Sequence, residues 1–305
     1  MKQVLLFTAL LILFSCSNGT KNGTSLKTKP LIVTTTGMIA DAVKNLVGDS
    51  ADVIALMGPG VDPHLYKATQ GDLERLNTAD IIVYNGLHLE GKMSEILEKI
   101  ASKKIIIAIA NQIPANKFRL LDEKNHIYDP HIWFDVTLWK EGVIGLSKEL
   151  KKKCPALTTA INTKSQTYLD KLDSLQIYVS YEMATIPKTQ RVLITAHDAF
   201  GYFGRAYDTE VRGLQGISTV SDFGLNDVTQ LVNLITERKI KAVFVETSVS
   251  DQSIKAVIDG CTQKGHPVKI GGTLFSDAMG TAGTPEGTYI GMVKKNVETI
   301  VQALK

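Results

Sequence analysis

The sequence has few cysteines, no basic stripe and only one long apolar run. Its three cysteines form no C-x-x-C pair, which excludes a disulfide-dense scaffold; the pairing of Cys154 with Cys261 stays open. Lys and Arg are scattered and the formal net charge is only +3, whereas a nucleic-acid-binding protein usually carries a clustered basic patch. The one apolar run stands at the N-terminus. We therefore expect a soluble mature protein with no nucleic-acid partner.

Several catalytic signatures are also missing. None of the six histidines begins an H-E-x-x-H motif, and the sequence contains no G-x-S-x-G nucleophile turn. The glycine-rich stretch MGTAGTPEG lacks the Gly-Lys-Ser/Thr ending of a phosphate-binding loop and is better explained as a turn before the last helix. The prediction is that this protein is not an enzyme.

The N-terminus has the pattern of an export signal. Lys2 precedes an apolar stretch of 11 residues from Val4 to Phe14, well short of the roughly 20 that a membrane-spanning helix needs. Cys16 then follows in Leu-Phe-Ser-Cys, which resembles a bacterial lipobox. We expect a signal peptide over 1–15, lipidation of Cys16 and a flexible tether over 16–29. The alternative is an ordinary signal peptide with a cysteine there by chance.

The remaining length favours two α/β domains. A chain of 305 residues with 44% hydrophobic and 21% charged residues has an ordinary globular composition. Short β-rich runs alternate with helical stretches in both halves, which is typical of parallel sheets covered by helices. We expect an N-terminal lobe over 30–154 and a C-terminal lobe over 188–305.

One amphipathic helix is predicted between the lobes, over 155–187. The stretch from Pro155 to Ile186 has no glycine and no internal proline, and its apolar residues recur at steps of three, four and seven. A helix of about 27 residues would be roughly 40 Å long. The predicted fold is therefore α/β, with two lobes, each a mainly parallel sheet flanked by helices, joined by one long rigid helix.

Four residues form the candidate site. His64 and His131 each follow an Asp-Pro pair, in GPGVDPHLY and HIYDPHIW, and the proline presents each histidine from a rigid, non-helical turn. His197 follows the strand RVLITA, and Asp277 follows the strand PVKIGG. Ligand sites in open α/β sheets gather at such strand-end loops. Three imidazoles and one carboxylate suit a single Zn²⁺ or Mn²⁺ ion in a cleft between the lobes.

Simpler explanations stay open for several of these features. The two Asp-Pro-His turns are surface turns in the alternative interpretation, although an uncommon tripeptide rarely recurs by chance. Glu246, at the end of AVFVE, is either a partner for an imidazole N–H or a carboxylate that caps a neighbouring turn. Three further histidines have no partner in the sequence and are expected in loops or turns: His88, His126 and His266.

Eight stretches spread over nearly the whole chain beyond the signal carry a family resemblance: TTTGMIADAVKNLVGD, MGPGVDPHLYKATQGDL, YNGLHLEG, DPHIWFDV, ITAHDAFGYFGRAYD, VFVETSVS, FSDAMG and GTYIGMVKKNV. Through them the sequence resembles the metal-specific solute-binding lipoproteins of bacterial zinc/manganese ABC transporters. The resemblance implies two α/β lobes, joined by one long helix, that hold a single metal ion between them. The matching ligand positions are His64, His131, His197 and Asp277.

The resemblance also bears on which metal is bound. Manganese-dedicated members often have a glutamate in place of His197, and zinc-dedicated members often have a long loop rich in histidine and acidic residues. Here the corresponding stretch, NQIPANKFRLLDEKNHIYD, contains only His126. Since three imidazoles favour Zn²⁺ over Mn²⁺, zinc is the first expectation and manganese a close second.

The resemblance implies capture of this ion outside the cytoplasm and delivery to an ABC-transporter permease. We expect a monomer held by its lipid anchor at the periplasmic or cell-surface face of the membrane. One alternative is a secreted zinc-dependent hydrolase, which would need a general base, and Glu246 is the candidate. A second is a surface adhesin with a role in cell adhesion, since some members of the family have been described in that way; the sequence shows no repeat or stalk that favours it.

Overall fold

The computed structural model of the protein describes residues 29–221 and 223–305. The predicted signal peptide, Cys16 and nearly all of the predicted tether lie outside these residues. Within them, no helix combines the length and apolar character needed to cross a membrane. Cys154 and Cys261 are both free thiols, so the question of their pairing is answered against a disulfide.

The first lobe is built on a parallel sheet of four short strands: β1 (Leu31–Thr34), β2 (Asp52–Ala55), β3 (Ile81–Tyr84) and β4 (Ile105–Ala108). Their order in the sheet is β2-β1-β3-β4. Parallel neighbours need crossover connections, and three helices supply them: α1 (Gly37–Val47), α2 (Gln70–Thr78) and α3 (Lys92–Ile100). The alternation of strand and helix predicted from the sequence is confirmed in this lobe.

A small antiparallel hairpin extends the first lobe and was not predicted. It consists of β5 (Leu120–Asp122) and β6 (Ile127–Tyr128), and helix α4 (Val136–Lys153) follows it. Strands of two and three residues are too short to show a two-residue period, which is why the sequence pattern missed them. The hairpin leads directly into the turn that carries His131.

The helix between the lobes is α5 (Thr158–Ala184), which has the 27 residues expected from the sequence. Its start is later than the predicted start, because Pro155 begins a short 3-10 turn over Pro155–Leu157 before the α-helix. The buried face follows the predicted period: Ile161, Tyr168, Leu172, Leu175, Val179 and Met183. A continuous helix of this length is a stiff connection between the lobes.

The second lobe contains four strands and four helices among the described residues: β7 (Val192–His197), α6 (Gly201–Ala206), β8 (Glu210–Gln215), α7 (Leu225–Arg238), β9 (Ala242–Glu246), α8 (Gln252–Gln263), β10 (Lys269–Leu274) and α9 (Tyr289–Leu304). Parallel pairing joins β7 to β8 and β9 to β10, and β7 lies beside β9. Strand β8 was not predicted, since its sequence EVRGLQ contains two charged residues and a glycine.

The last helix begins later than predicted. The sequence indicates a start at Pro285 with Thr284 as the cap, but these residues form a separate 3-10 turn over Pro285–Gly287, in which Thr284 Oγ1 accepts a hydrogen bond from the Gly287 N–H. The backbone is then extended at Thr288 (φ −117°), and the Thr288 hydroxyl caps α9. Two threonine caps in succession therefore replace the single one expected.

Helix α5 contacts both lobes along its length. Helix α1 of the first lobe and helix α9 of the second both pack against it, and they also contact each other. The largest hydrophobic core runs through this junction and includes Trp139, Leu172 and Tyr289. The two sheets are thereby held with their strand-end loops facing one cleft.

Candidate metal centre

The four predicted ligand residues meet in the cleft between the lobes. One nitrogen or oxygen atom from each of His64, His131, His197 and Asp277 lies within 4.8 Å of the corresponding atoms of the others. All four side chains are buried, and even His64 retains only 5% exposure. Two come from loops of the first lobe, and two come from a strand end and a loop of the second, so the cluster exists only while the lobes are together.

The spacing of the donor atoms suits one tetrahedral ion. His64 Nε2 lies 3.3 Å from His131 Nε2, and Asp277 Oδ2 lies 3.3 Å from His197 Nε2. Asp277 Oδ1 is 3.4 Å from His131 Nε2, while its Oδ2 is 3.8 Å from His64 Nε2. Ligands placed about 2.0–2.1 Å from a zinc ion at tetrahedral angles stand about 3.3–3.4 Å apart. The arrangement is able to hold one metal ion.

The hydrogen bonding of the cluster also indicates a cation. Both carboxylate oxygens of Asp277 are buried, and among the described residues neither accepts a well-aligned hydrogen bond, although imidazole nitrogens lie 3.3–3.4 Å away. Buried polar atoms are nearly always paired, so a buried carboxylate whose close neighbours are imidazole nitrogens calls for positive charge beside it, from a bound ion or a protonated ring. A divalent ion would satisfy all of these atoms together.

The pKa shifts of the clustered residues differ in direction. Burial lowers the pKa of His64 to about 4, which leaves its ring neutral and able to donate a lone pair at neutral pH. Burial would also lower the pKa of His131, but the carboxylates of Asp129 and Asp277 outweigh it and raise that pKa to about 9. Burial would raise the pKa of Asp277, yet the neighbouring His197 and His131 hold it well below its usual range. Asp277 is therefore a carboxylate anion.

His64 is presented by the first Asp-Pro-His turn, at the rim of the cleft. Asp62 Oδ1 accepts a hydrogen bond from the His64 backbone N–H at 2.8 Å, and Asp62 Oδ2 accepts one from the Thr219 hydroxyl at 2.6 Å. Gly91 (φ +46°) passes so close behind the turn that a Cβ there would lie 2.6 Å from the His64 carbonyl oxygen. These contacts fix the His64 backbone, and its ring faces the cluster, with Nε2 3.3 Å from His131 Nε2.

His131 is presented by the second Asp-Pro-His turn, which is fully buried. Asp129 Oδ1 accepts from the His131 backbone N–H at 3.0 Å and also lies 2.8 Å from His131 Nδ1. The other carboxylate oxygen, Oδ2, pairs with Arg119. A carboxylate on Nδ1 leaves Nε2 as the atom that faces the cluster and raises the basicity of Nε2. Sequence reasoning named His131 and missed this role of Asp129, although the motif places Asp129 two residues earlier.

His197 stands at the end of β7 and faces Glu246 at the end of β9. Glu246 Oε1 accepts a hydrogen bond from the His197 backbone N–H at 2.9 Å, and Oε2 lies 2.5 Å from His197 Nδ1. Burial would lower the pKa of His197, but Glu246 and Asp277 outweigh it and raise that pKa well above its ordinary value. Of the two interpretations of Glu246, this contact with His197 Nδ1 fits the one in which Glu246 is the partner of an imidazole N–H.

Trp133 connects the loops of His131 and Asp277 across the cleft. Its indole Nε1–H donates to the Ser276 carbonyl oxygen at 3.0 Å, and its own carbonyl oxygen accepts from the Tyr289 hydroxyl at 2.7 Å. Trp133 is two residues after His131, and Ser276 directly precedes Asp277. One buried side chain of the first lobe therefore positions the loop that carries Asp277 in the second.

The other histidines lie outside the cluster. His88 and His126 are exposed and have positive φ angles of 62° and 51°. His266 is half-buried, and its Nε2 lies 3.0 Å from the Ile240 carbonyl oxygen. Their positions in loops and turns agree with the expectation from the sequence.

Two α/β lobes that close on a buried cluster of three histidines and one aspartate define a two-lobed binding protein with a place for one metal ion. The chain belongs to the family described as "ZnuA: Zinc-uptake complex component A periplasmic", which it matches over residues 32–303. The resemblance stated from the sequence is confirmed.

Individual relatives carry names for two different metals. The chain is 50% identical over 276 residues to the zinc-binding protein TroA of Treponema pallidum, which covers 90% of this chain and 89% of that protein. It is 48% identical over 307 residues to the manganese-binding lipoprotein MntA of Bacillus subtilis, which covers the full length of both. The solved structure of the periplasmic zinc-binding protein TroA superimposes with a TM-score of 0.87 over 90% of this chain and 99% of that one. This match confirms the fold of two lobes and a long helix.

Proposed function

We propose that this protein captures one divalent transition-metal ion outside the cytoplasm and delivers it to the permease of an ABC transporter. The observation that carries the proposal is the buried cluster of three imidazoles and one carboxylate, drawn from both lobes. The family match and the names of TroA and MntA support the same function.

In this proposal His64, His131, His197 and Asp277 bind the ion, and two carboxylates orient the rings. Asp129 holds Nδ1 of His131, and Glu246 holds Nδ1 of His197. A carboxylate that supports a metal-binding histidine commonly raises the metal affinity by roughly 10- to 100-fold.

Zinc is the preferred ion in the proposal, and manganese is second. Three nitrogen donors favour Zn²⁺, whereas a further oxygen donor would improve the relative binding of Mn²⁺. His197→Glu should therefore lower the preference for zinc, while His64→Ala should weaken the binding of both ions. Competition titrations with the two ions would measure the ratio, and an unchanged ratio in His197→Glu would place His197 outside the coordination shell.

Release requires the two lobes to separate at the cleft. We assign the lobes to 30–154 and 188–305 and the connecting helix to 155–187, as the sequence predicts. Because α5 is one continuous helix that both lobes pack against, the opening is a small rigid-body motion rather than a wide hinge closure. The permease is the partner that would drive it.

We infer an exported lipoprotein, anchored through Cys16, that acts as a monomer. The 11-residue apolar stretch before Cys16 and the lipoprotein name of MntA support the anchor. Intact-mass analysis of the protein from a bacterial membrane fraction would test it, since a mature chain that begins elsewhere would contradict the assignment.

We also infer that the protein is a carrier and not a hydrolase. A catalytic zinc site usually has three protein ligands and an open position for water, whereas this cluster offers four protein donors. Glu246, the candidate base, is already engaged with His197. No observation in the described residues favours the adhesin alternative.

Elemental analysis of protein purified without added metal tests the proposal. The expected result is one equivalent of zinc or manganese per chain, lost in a His64→Ala/His131→Ala double variant. A ligand at a thousandfold excess over its Kd stabilises the folded state by about 4 kcal/mol, so thermal unfolding should also shift upward with Zn²⁺ and return with chelator. A chain that neither retains an ion nor responds to one would contradict the proposal.

A further inference from the structure

Thr219 and Asp62 connect the two lobes directly at the cleft. The Thr219 hydroxyl, in the segment 216–221 after β8, donates to Asp62 Oδ2 at 2.6 Å. The other oxygen of the same carboxylate accepts the His64 backbone N–H at 2.8 Å. Asp62 therefore contacts the second lobe with one oxygen and holds the turn of a ligand histidine with the other.

The segment that carries Thr219 is tied back to the strand beside His197. Gln215 Nε2 donates to the Thr219 carbonyl oxygen at 3.0 Å and to the Ser221 carbonyl oxygen at 3.1 Å. Gln215 in turn pairs with His197 in the ladder between β7 and β8. A chain of contacts thus runs from His64, through Asp62 and Thr219, to His197.

These contacts lie just beneath the surface. Thr219 is only 7% exposed, while its neighbour Val220 is 62% exposed and Leu65, next to His64, is 54% exposed. His64 is also the most exposed of the four clustered residues, so its side of the cluster is the one nearest to solvent. An ion that leaves on this side requires His64 to separate from the second lobe, which breaks the hydrogen bond between Thr219 and Asp62.

We propose that Thr219 is a positioning residue for metal retention: through Asp62 it holds the His64 turn against the second lobe and slows release of the ion. This inference rests on the proposed function. Thr219 is expected to act on the rate of release, because its hydroxyl bonds to Asp62 and leaves the ligand rings in place. A hydrogen bond to a charged acceptor that breaks on opening should slow release about tenfold.

Release of Zn²⁺ from loaded protein into an excess of a chromogenic chelator, followed by stopped flow, tests the inference. Thr219→Val should release Zn²⁺ about tenfold faster than wild type, and Thr219→Ser, which keeps the hydroxyl, should stay within about twofold. The matched control is Thr209→Val: Thr209 is 6% exposed in the same lobe, and its hydroxyl bonds only locally to the Tyr207 carbonyl oxygen. Thr209→Val should release Zn²⁺ at the wild-type rate.

Two further measurements separate positioning from a general loss of structure. The visible absorption bands of Co²⁺-loaded Thr219→Val should match those of wild type, because the ligand set is unchanged. In an Asp62→Ala background, Thr219→Val should add little to the release rate, since its partner is already gone.

The outcomes also distinguish this inference from the proposed function. If wild type holds one Zn²⁺ but Thr219→Val releases it at the wild-type rate, only the inference about Thr219 is overturned. Equal acceleration in Thr219→Val and Thr209→Val overturns it as well, because the effect is then ordinary packing. If wild type holds no Zn²⁺ or Mn²⁺, the proposed function itself fails.

Discussion

The two Asp-Pro-His turns have the same residues and different surroundings. In both, the aspartate accepts the backbone N–H of its histidine, so the local geometry of the tripeptide is shared. The two aspartates differ in their other contacts. Asp129 also contacts the ring of His131, whereas Asp62 also accepts a hydrogen bond from Thr219 across the cleft. A repeated motif therefore sets how a histidine is presented, and the tertiary contacts of its aspartate set what that presentation does.

The difference extends to the titration of the two rings. Burial lowers the pKa of His64 to about 4, while the carboxylates around His131 raise its pKa to about 9 despite burial. The first turn is at the rim, and the residues that follow the second turn, Ile132 and Trp133, are fully buried. We infer that the His131 side is the fixed half of the site and the His64 side the half that opens.

Removal of either ring should have the largest effect and should test whether the halves differ. We expect His131→Ala to lower Zn²⁺ affinity by well over 100-fold. Loss of a residue that only supports a metal-binding histidine costs roughly 100-fold at most. His64→Ala should also weaken binding, but less, because three donors and their supporting carboxylates remain. Calorimetric titration with a competing chelator would measure both, and a larger loss in His64→Ala would reverse the assignment of the fixed half.

Glu90 supports the second turn through Asn85, and its titration can be tested next. It is fully buried and accepts from Thr35 Oγ1 at 2.9 Å and the Asn85 N–H at 2.6 Å, while the Asn85 amide donates to the Pro130 carbonyl oxygen beside His131. Burial raises the pKa of Glu90 from an ordinary 4.5 to about 7, although these hydrogen bonds oppose the shift.

The raised pKa predicts a pH dependence of stability. An acid whose pKa is higher in the folded state contributes stability that is present below pH 4.5 and is lost as the pH rises through about 7. The contribution is about 3 kcal/mol at most. Denaturant unfolding of chelator-treated wild type and Glu90→Gln across pH 4.5–8 would isolate it as the difference between the two curves. Parallel curves would show that Glu90 does not titrate in this range.

The aspartates of the two turns should differ in how much each contributes to Zn²⁺ affinity. Asp129→Asn removes the carboxylate charge that lies beside His131 Nδ1, and it should lower Zn²⁺ affinity by roughly 10- to 100-fold. Asp62→Asn keeps an acceptor for the His64 N–H and should lower affinity less. Isothermal titration of both variants would compare them, and equal losses would mean that the two turns are equivalent after all.

The smallest expected effect concerns the residues just after each turn. Trp133→Phe removes the indole N–H that reaches the Ser276 carbonyl oxygen, and it should lower the free energy of unfolding by about 1 kcal/mol. Leu65→Ser, at the exposed rim, should change it by less than about 0.5 kcal/mol. Urea denaturation measures both, and a larger loss in Leu65→Ser would contradict a buried second turn and an exposed first one.

Much of this organisation could be predicted from the sequence, because it depends on local signals. The three-, four- and seven-residue steps from Ile161 to Met183 predicted the buried face of α5. Prolines pointed to His64 and His131 as loop residues, and the structure brings them together with His197 and Asp277. His197 was expected just after its strand, but it is the last residue of β7 and pairs with Gln215.

The remainder depends on contacts between residues far apart in the chain. Nothing near Asp62 in sequence indicates Thr219, and nothing near His131 indicates Ser276. The hairpin of β5 and β6 and the strand β8 are too short or too polar to show a β pattern, yet they position the second turn and Gln215. Such roles become visible only once the lobes are packed.

The proposed function depends on one ion that binds between the lobes to His64, His131, His197 and Asp277. A crystal structure of Zn²⁺-loaded protein, with diffraction data collected on both sides of the zinc absorption edge, tests it most directly. We expect one strong anomalous peak in the cleft, about 2.0–2.2 Å from one nitrogen of each histidine and from an oxygen of Asp277. A peak elsewhere, or coordination by residues of only one lobe, would contradict it.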